Sequence, residues 1–286
     1  MGEYVWFHDV SWHAPYAVYF FLIGILAGLS FLSYFSWLQP ALQPLRVKSA
    51  YVSLGLLACG GAILIGDLSQ PQRFLNTINP AYMHFTSPLA WGALNIMLFG
   101  ASSVAYVWFL RKGDEKMGKL LAAITALLAL GLPIYTGYDL SVHQSRPMWN
   151  TPVMPVLFVA LAVASGSAAG SFLAGSNEAA QKLLREYMLW SSAAVGIVLI
   201  GILGTTNYGG SAEELTFALL TSGTMGLIFV GFGVLGGIAA PVGLLLMARA
   251  KAQSGLLMVA AVLMLVGSAA LRYGILMAPQ HVQTLY

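Results

Sequence analysis

The protein has 286 residues, of which 58% are hydrophobic and only 8% are Asp, Glu, Lys or Arg, and its formal net charge is +3. Soluble globular domains carry about 25% charged residues. With a mean hydropathy of +0.78, the composition excludes an ordinary water-soluble fold and favours an integral membrane protein. The single cysteine, Cys59, excludes an internal disulfide and a cysteine metal site.

Eight apolar segments have about the length of a membrane span, which needs about 20 mostly apolar residues. The first stretch, "MGEYVWFHDVSWHAP", has no basic n-region, so the first helix is expected to be retained rather than cleaved as a signal peptide. Glycines and Pro241 in the seventh segment predict a tilt or kink, and Pro133 predicts a kink in the fourth helix. The segments are 15–38, 50–66, 88–110, 119–141, 152–174, 187–204, 216–247 and 255–277.

Ten of the thirteen basic residues fall in alternate loops. Cytoplasmic loops of membrane proteins carry the excess of Lys and Arg, so eight helices place both termini outside, in the periplasm of a bacterium. The other three basic residues, Arg73, Arg146 and Arg272, map to the outer side. The ten are Arg46, Lys48, Arg111, Lys112, Lys116, Lys119, Lys182, Arg185, Arg249 and Lys251.

The outer side also collects all five histidines and several acidic residues. Its longest loop, 67–87, is rich in Pro and Asn and is expected to lie along the membrane surface. No outer segment is long enough to fold alone, so a soluble function must come from a partner subunit. The expected docking contacts are this loop with Arg73, Glu213 and Glu214.

Four polar residues follow the fourth apolar segment in "YTGYDLSVHQSRPMWN". Tyr135, Asp139, His143 and Arg146 are spaced i, i+4, i+8 and i+11 and would share one face if the helix continued that far. Ionisable groups at membrane depth tend to face a cavity or a partner. The alternative is that Asp139 and Arg146 simply form an ion pair at the interface, where Tyr138 would be an aromatic anchor.

Two further polar patches lie on the outer side. Asp67 ends the second helix and Arg73 follows it. This pair is compatible with part of a binding site and equally with a local ion pair. Trp12, His13 and Tyr16 begin the first helix, where tryptophan and tyrosine are also ordinary interface anchors. The convergence of the three patches on one side is stronger evidence for a binding site than any one patch alone.

A quinone fits such a site, because it needs an apolar aromatic slot, a few hydrogen-bonding groups and nearby proton carriers. Haem does not fit, because transmembrane cytochrome b subunits ligate it through histidines inside helices. None of the five histidines lies at mid-depth of a predicted helix. The sequence therefore predicts a quinone-binding subunit with no haem and no metal site.

Four stretches resemble the NrfD family, which includes the membrane subunit of polysulfide reductase. The third and fourth stretches carry the more specific motifs, a Thr-Ser-Pro before the third helix and Tyr-x-Gly…Arg-Pro-x-Trp-Asn after the fourth. The first five helices are covered well, and the last three match only in hydropathy. The stretches are "YAVYFFLIGILAGLSFL", "GDLSQPQRFLNTINP", "HFTSPLAWGALN" and "YTGYDLSVHQSRPMWNTPVMPVLF".

The resemblance implies an all-α fold of two four-helix bundles, which would divide the protein at 1–145 and 146–286. It also implies menaquinone or ubiquinone at the periplasmic face of the inner membrane. An iron–sulfur subunit would dock outside, with a molybdopterin oxidoreductase or a nitrite-reductase-related partner beyond it. The protein would then exchange electrons between the quinone pool and that iron–sulfur subunit.

The resemblance also assigns site residues. Tyr135 falls on the family's quinone-ring tyrosine, and Asp67 lies near an acidic residue of the family's site. Tyr16 and Tyr19 stand where the polysulfide reductase member has Asn and His, so some ring contacts are expected to differ. Asp139 stands where an apolar residue is expected. The candidate site also includes His13, His143, Arg73 and Arg146. Its catalytic candidates are Tyr135, Asp139 and His143.

Two other functions are compatible with the hydropathy. A transporter or proton translocator could be built from two four-helix halves, but no matching pair of broken helices is evident and no charge is expected near the midplane of the last four helices. A passive anchor for a partner subunit is the third possibility, against which the outer polar residues argue.

Overall fold

The computed structural model of the protein describes residues 5–6, 14–68, 70–79, 85–251, 254–279 and 281–282. These residues form α-helices, two 3₁₀ helices, one π-helical segment and a pair of two-residue strands. The α-helices are α1 (Ala14–Phe35), α2 (Arg46–Asp67), α3 (Pro88–Lys112), α4 (Glu115–Ser141), α5 (Met154–Ala174), α6 (Glu178–Asn207), α7 (Ser211–Thr221), α8 (Gly223–Gly226), α9 (Ala240–Lys251) and α10 (Ser254–Met277). The 3₁₀ helices are Pro40–Leu45 and Pro71–Ile78, the π-helical segment is Leu227–Ala239, and the strands are β1 (Val5–Trp6) and β2 (His281–Val282).

Eight helical spans within the described residues are long and apolar enough to cross a membrane, which confirms the predicted number. The first six correspond to α1–α6, and the second of them also includes the 3₁₀ helix Pro40–Leu45. The seventh joins α8, the π-helical segment and α9, and the eighth is α10. Apolar side chains dominate each span and suit the lipid, and the helical backbone satisfies its own hydrogen bonds, as the water-free bilayer core requires.

The structure divides the predicted seventh segment, 216–247, at Ser222. Ser222 is extended, and Gly223 has a φ of +58°, a left-handed conformation that glycine adopts without steric cost. Residues before this break belong to the separate short helix α7. The span proper starts at Gly223 and includes a 13-residue π-helical stretch, whose wider turns are rare and often lie near functional sites. Pro241 lies in the first turn of α9.

An even number of crossings brings the start of α1 and the end of α10 to one face of the helical bundle. The antiparallel pairing of β1 with β2, in which Trp6 is opposite His281, agrees with this arrangement. We call this the terminal face, and we call the opposite face, which carries the ten Lys and Arg residues of the alternate loops, the basic face. The terminal face contains Ala14, Asp67, Ser141 and Met277, and the basic face contains Lys48, Lys112, Lys182 and Arg249.

Helix α1 occupies the centre of the packing. Of its apolar window, 67% is buried, against 22% for α2 and for α3. It packs against four helices, α2, α4, α5 and α10. The main cluster of buried apolar residues joins α1, α4, α5, α6 and α10. The division into bundles at 1–145 and 146–286 stays a prediction.

Glycines set the closest helix contacts. At the α1–α5 crossing, a Cβ added to Gly28 would lie 2.6 Å from the Cα of Gly166 and closer still to the carbonyl oxygen of Ala162. Gly237 of the π-helical segment meets Gly267 of α10 in the same way. Small residues allow such close approach in membranes, where packing rather than the hydrophobic effect holds helices together.

We expect Gly28→Ala to lower the thermal stability of the purified protein, because the methyl group would force α1 away from α5. Overpacking of this kind costs about 1–3 kcal/mol. The matched control is Gly61→Ala on α2, where an added Cβ would meet nothing within 4 Å. Melting temperatures of the two variants in the same detergent provide the measurement. Equal melting temperatures would contradict the tight α1–α5 contact.

Candidate functional site

Two tyrosines from distant parts of the sequence meet in the half of the bundle nearer the terminal face. The hydroxyl oxygens of Tyr19 on α1 and Tyr135 on α4 are 2.6 Å apart. Tyr19 is buried, whereas Tyr135 is only partly buried. Gly60 of α2 lies against the Tyr19 ring, and Gly92 of α3 leaves the space that the Tyr135 ring fills. The first four helices therefore all contribute to this tyrosine pair.

A second pair lies one helical turn closer to the terminal face. Tyr16 precedes Tyr19 by three residues on α1, and its hydroxyl is within hydrogen-bonding reach of the Asp67 carboxylate. Asp67 is the last residue of α2 and is exposed. The structure thus brings together four residues predicted from separate motifs, which we call the tyrosine site: Tyr16, Tyr19, Asp67 and Tyr135.

Asp139 borders the tyrosine site on α4, one turn after Tyr135. Only 3% of its surface is exposed, and it lies within electrostatic range of both Tyr135 and His143. The His143 Nδ1 donates a hydrogen bond of 2.7 Å to the Asp139 backbone carbonyl. Neither of the two salt bridges among the described residues includes Asp139.

The predicted stripe of four residues on one continuous helix is wrong, because α4 ends at Ser141. His143 lies in the turn that follows, bonded through its backbone N–H to the Leu140 carbonyl. Arg146 lies farther along the connection to α5. Only Tyr135 and Asp139 share the helical face that the spacing predicted.

Arg146 is buried and holds the α4–α5 connection against the end of α10. Its Nη1 donates a hydrogen bond to the Pro279 carbonyl, and its guanidinium lies 5.0 Å from the Trp149 ring centre. The Trp149 Nε1 donates to the Ile275 carbonyl at 2.6 Å. Burial lowers the pKa of Arg146. No described salt bridge joins Arg146 to Asp139, so the predicted alternative of an interfacial ion pair between them is not formed.

The remaining candidates are less closely connected. Arg73 is exposed on the second 3₁₀ helix, and no described salt bridge joins it to Asp67. His13 lies outside the described residues. The Glu213 carboxylate accepts the backbone N–H of Gly210 at 3.0 Å and thereby caps α7, whereas Glu214 is exposed.

Sequence reasoning missed one residue of this part of the molecule. Arg272, assigned to the outer side, lies inside the eighth span, five residues before the end of α10, and is 0% exposed. Its position inside the apolar segment 255–277 was the available signal. A charge within a span usually indicates a site or a partner.

An all-helical, multi-pass membrane protein with a polar aromatic site near one face is the class that this structure defines. The family model described as "Polysulphide reductase, NrfD" matches residues 5–283, nearly the whole sequence. The protein belongs to this family, which confirms the resemblance seen in its motifs.

Three curated relatives show the extent of the similarity. The protein is 29% identical over 316 aligned positions to a polysulfide reductase chain of Wolinella succinogenes, covering 98% of this sequence and 97% of that one. It is also 29% identical to a tetrathionate reductase subunit of Salmonella typhimurium, over 74% of this sequence and 64% of that one. Protein NrfD of Escherichia coli is 31% identical over 57% of this sequence and 59% of its own length.

The contacts of Arg146 predict a structural effect. Arg146→Gln should lower the melting temperature, because it removes a charged hydrogen-bond donor from a buried carbonyl, and such bonds are worth about 1.5–3 kcal/mol. Arg73→Gln, at an exposed arginine on the same face, is the matched control and should leave the melting temperature unchanged. Thermal unfolding of both purified variants checks this. A wild-type melting temperature for Arg146→Gln would show that the connection is held by other contacts.

Proposed function

We propose that this protein is the quinone-reactive membrane subunit of a respiratory oxidoreductase complex, with the tyrosine site as the place where the quinone headgroup reacts. The observation that carries the proposal is the 2.6 Å contact between the Tyr19 and Tyr135 hydroxyls. Family membership supports the same function, since the relatives include one chain of a polysulfide reductase.

The chemistry of the site suits a quinone. Each phenol can donate a hydrogen bond to a carbonyl oxygen or accept one from a hydroxyl, which are the groups that a quinone and a quinol present. Tyr135 keeps part of its surface exposed while Tyr19 is buried. A ring approaching Tyr135 would therefore meet a hydroxyl already oriented by its neighbour. The surrounding apolar helix surfaces suit an isoprenoid tail, which needs access from the lipid.

Quinone reduction takes up protons and quinol oxidation releases them, so the site also needs a proton carrier. Asp139 is the nearest carboxyl group on α4 and is shielded from solvent. His143, bonded to the Asp139 carbonyl, is a second group that can carry protons toward the terminal face. We assign proton transfer between the headgroup and the terminal face to Asp139 and His143. A passive anchor would have no use for a buried carboxyl group beside a tyrosine pair.

The partners follow from the same proposal. The terminal face is taken as periplasmic, because the ten basic residues are on the opposite face and positive loops remain in the cytoplasm. An iron–sulfur subunit would dock on the terminal face and accept or donate the electrons, with a molybdopterin enzyme beyond it. Menaquinone or ubiquinone would be the mobile substrate in the bacterial inner membrane.

Tyr135→Phe should slow quinone-linked turnover of the complex about tenfold, because a lost hydrogen bond to a bound ligand costs about 0.5–1.5 kcal/mol and tenfold corresponds to about 1.4 kcal/mol. Electron transfer from artificial dyes to the partner subunits should stay normal. The matched control is Tyr138→Phe on the same helix, whose side chain is 52% exposed. Steady-state quinone kinetics of the purified complex provide the measurement.

Normal quinone kinetics in Tyr135→Phe, with Tyr138→Phe behaving identically, would show that the headgroup does not react at the Tyr135 hydroxyl. In that case His13 and Asp67 would be the next residues to change.

Asp139→Asn should change the pH dependence of quinone turnover, since an amide of the same shape cannot release a proton. The measurement is turnover against pH in the complex, together with the melting temperature of the variant. A purely structural role would lower the melting temperature and leave the shape of the pH profile unaltered. That pattern would remove Asp139 from the proton route without affecting the assignment of Tyr135.

A further inference from the structure

A group of exposed residues on the basic face takes no part in the tyrosine site. It lies where the end of α3 meets the starts of α2 and α4, two helices that both pack against α3. Each residue is within two turns of the end of a membrane-spanning helix, the depth at which lipid headgroups begin. We call this group the basic cluster, and its members are Tyr51, Arg111, Lys112, Lys116 and Lys119.

Tyr51 and Arg111 connect α2 to α3 within the basic cluster. The Arg111 Nε donates a hydrogen bond to the Tyr51 hydroxyl oxygen, and the guanidinium carbon lies 5.3 Å from the Tyr51 ring centre. A phenol that accepts one hydrogen bond still has its own proton to donate, and an arginine carries four N–H groups besides Nε. Both side chains are exposed. The pair therefore presents several donors side by side at the surface.

The positive charge of the basic cluster is not balanced by ion pairs within the described part of the protein. The two salt bridges found there share Glu186 on α6. The acidic residues next to the cluster in the sequence are Asp114 and Glu115, and the Asp114 carboxylate caps α4 by accepting the Met117 N–H at 3.0 Å. Residues 111–119 carry four basic and two acidic side chains. The excess positive charge attracts an anion.

The surface that continues from the basic cluster toward the middle of the spans is apolar. Trp108, which precedes Lys112 by one turn of α3, is 57% exposed, and the Lys112 Nζ lies 5.1 Å from its ring centre. Val104 is exposed one turn deeper on α3, and Val52 is exposed beside Tyr51 on α2. A ligand that contacts both the cluster and this surface must combine an anionic group with a hydrocarbon chain.

We propose that the basic cluster binds an anionic phospholipid, with the phosphate at Arg111 and Tyr51 and an acyl chain along Trp108 and Val104. A planar guanidinium can bond two phosphate oxygens at once, and the Tyr51 hydroxyl supplies a further donor. The three lysines of the cluster add a positive potential that favours an anionic headgroup over a zwitterionic one. This site depends on neither the tyrosine site nor the reaction assigned to it.

The bound lipid would contact α2 and α3 together. These are two of the least buried spans, with 22% of each apolar window buried, so few protein contacts hold them in place. A lipid that bridges their ends should therefore stabilise the folded protein, and the stabilisation provides a measurable signal of binding.

The first test measures the melting temperature of the purified full-length protein in detergent with added lipid. Phosphatidylglycerol should raise the melting temperature, whereas phosphatidylcholine with the same acyl chains should not. Glycerol phosphate, which has the anionic group without the chains, should also have no effect. A rise that glycerol phosphate reproduces would indicate a site for soluble anions, and a rise that phosphatidylcholine reproduces would indicate a general lipid effect. Either result would overturn the proposal.

The second test assigns the binding to the cluster. Arg111→Gln and Tyr51→Phe should each raise several-fold the phosphatidylglycerol concentration that gives half of the effect, because each removes a donor to the phosphate. The matched control is Lys182→Gln, which removes one positive charge from an exposed position of the same face on α6 and should respond as the wild type does. An equal loss in Lys182→Gln would show diffuse attraction rather than a site and would contradict the proposal.

A third measurement uses the wild-type protein alone, so it decides the question even if Arg111→Gln does not fold. Native mass spectrometry after incubation with an equimolar mixture of the two lipids should show phosphatidylglycerol retained in preference to phosphatidylcholine. Equal retention of the two lipids would rule out selective binding of an anionic headgroup.

Discussion

The close crossing of α1 and α5 at Gly28 and Gly166 is the contact on which the arrangement of the other helices depends. Without side chains at these two positions, α1 can lie at the centre of the bundle rather than at its lipid-facing surface. From there it presents Tyr16 and Tyr19 toward α2 and α4, and Gly24 toward Arg272 of α10. A bulkier residue at the crossing would shift both faces at once, because a helix moves as a rigid unit.

The low dielectric of the helical interior constrains the polar side chains. Many buried hydroxyl groups bond to a carbonyl of their own helix, as Ser30 does to Leu26 and Ser165 to Leu161. Such bonds satisfy the hydroxyl without linking helices. The tyrosine pair departs from this pattern, because its two hydroxyls bond across α1 and α4. The low dielectric strengthens that bond, and the same environment makes it costly that Nε and Nη2 of Arg272 have no acceptor among the described residues.

The connection between α4 and α5 is also structural. Arg146 and Trp149 attach it to the end of α10 through two backbone carbonyls, so the Arg-Pro-x-Trp-Asn motif joins the first half of the protein to the last span. Asp139 and His143 lie immediately before this attachment. The rigidity of the connection therefore supports the position of the proposed proton carriers, although Arg146 itself is occupied with the Pro279 carbonyl.

The sequence by itself determined the number of spans, the face on which the basic residues collect and the family, because hydropathy, loop charge and short motifs are local properties. Through the family resemblance it also assigned Tyr16, Tyr19, Asp67 and Tyr135 to one candidate site. Only the tertiary structure showed which of these residues touch, since the contact between Tyr19 and Tyr135, 116 positions apart, is not a local property of the sequence. The residue spacing predicted that the polar stripe continues past Ser141, because a periodic pattern carries no information about where tertiary contacts end a helix. The burial of Arg272 was likewise decided by packing: the charge is a local property of α10, but the glycine that admits it belongs to α1.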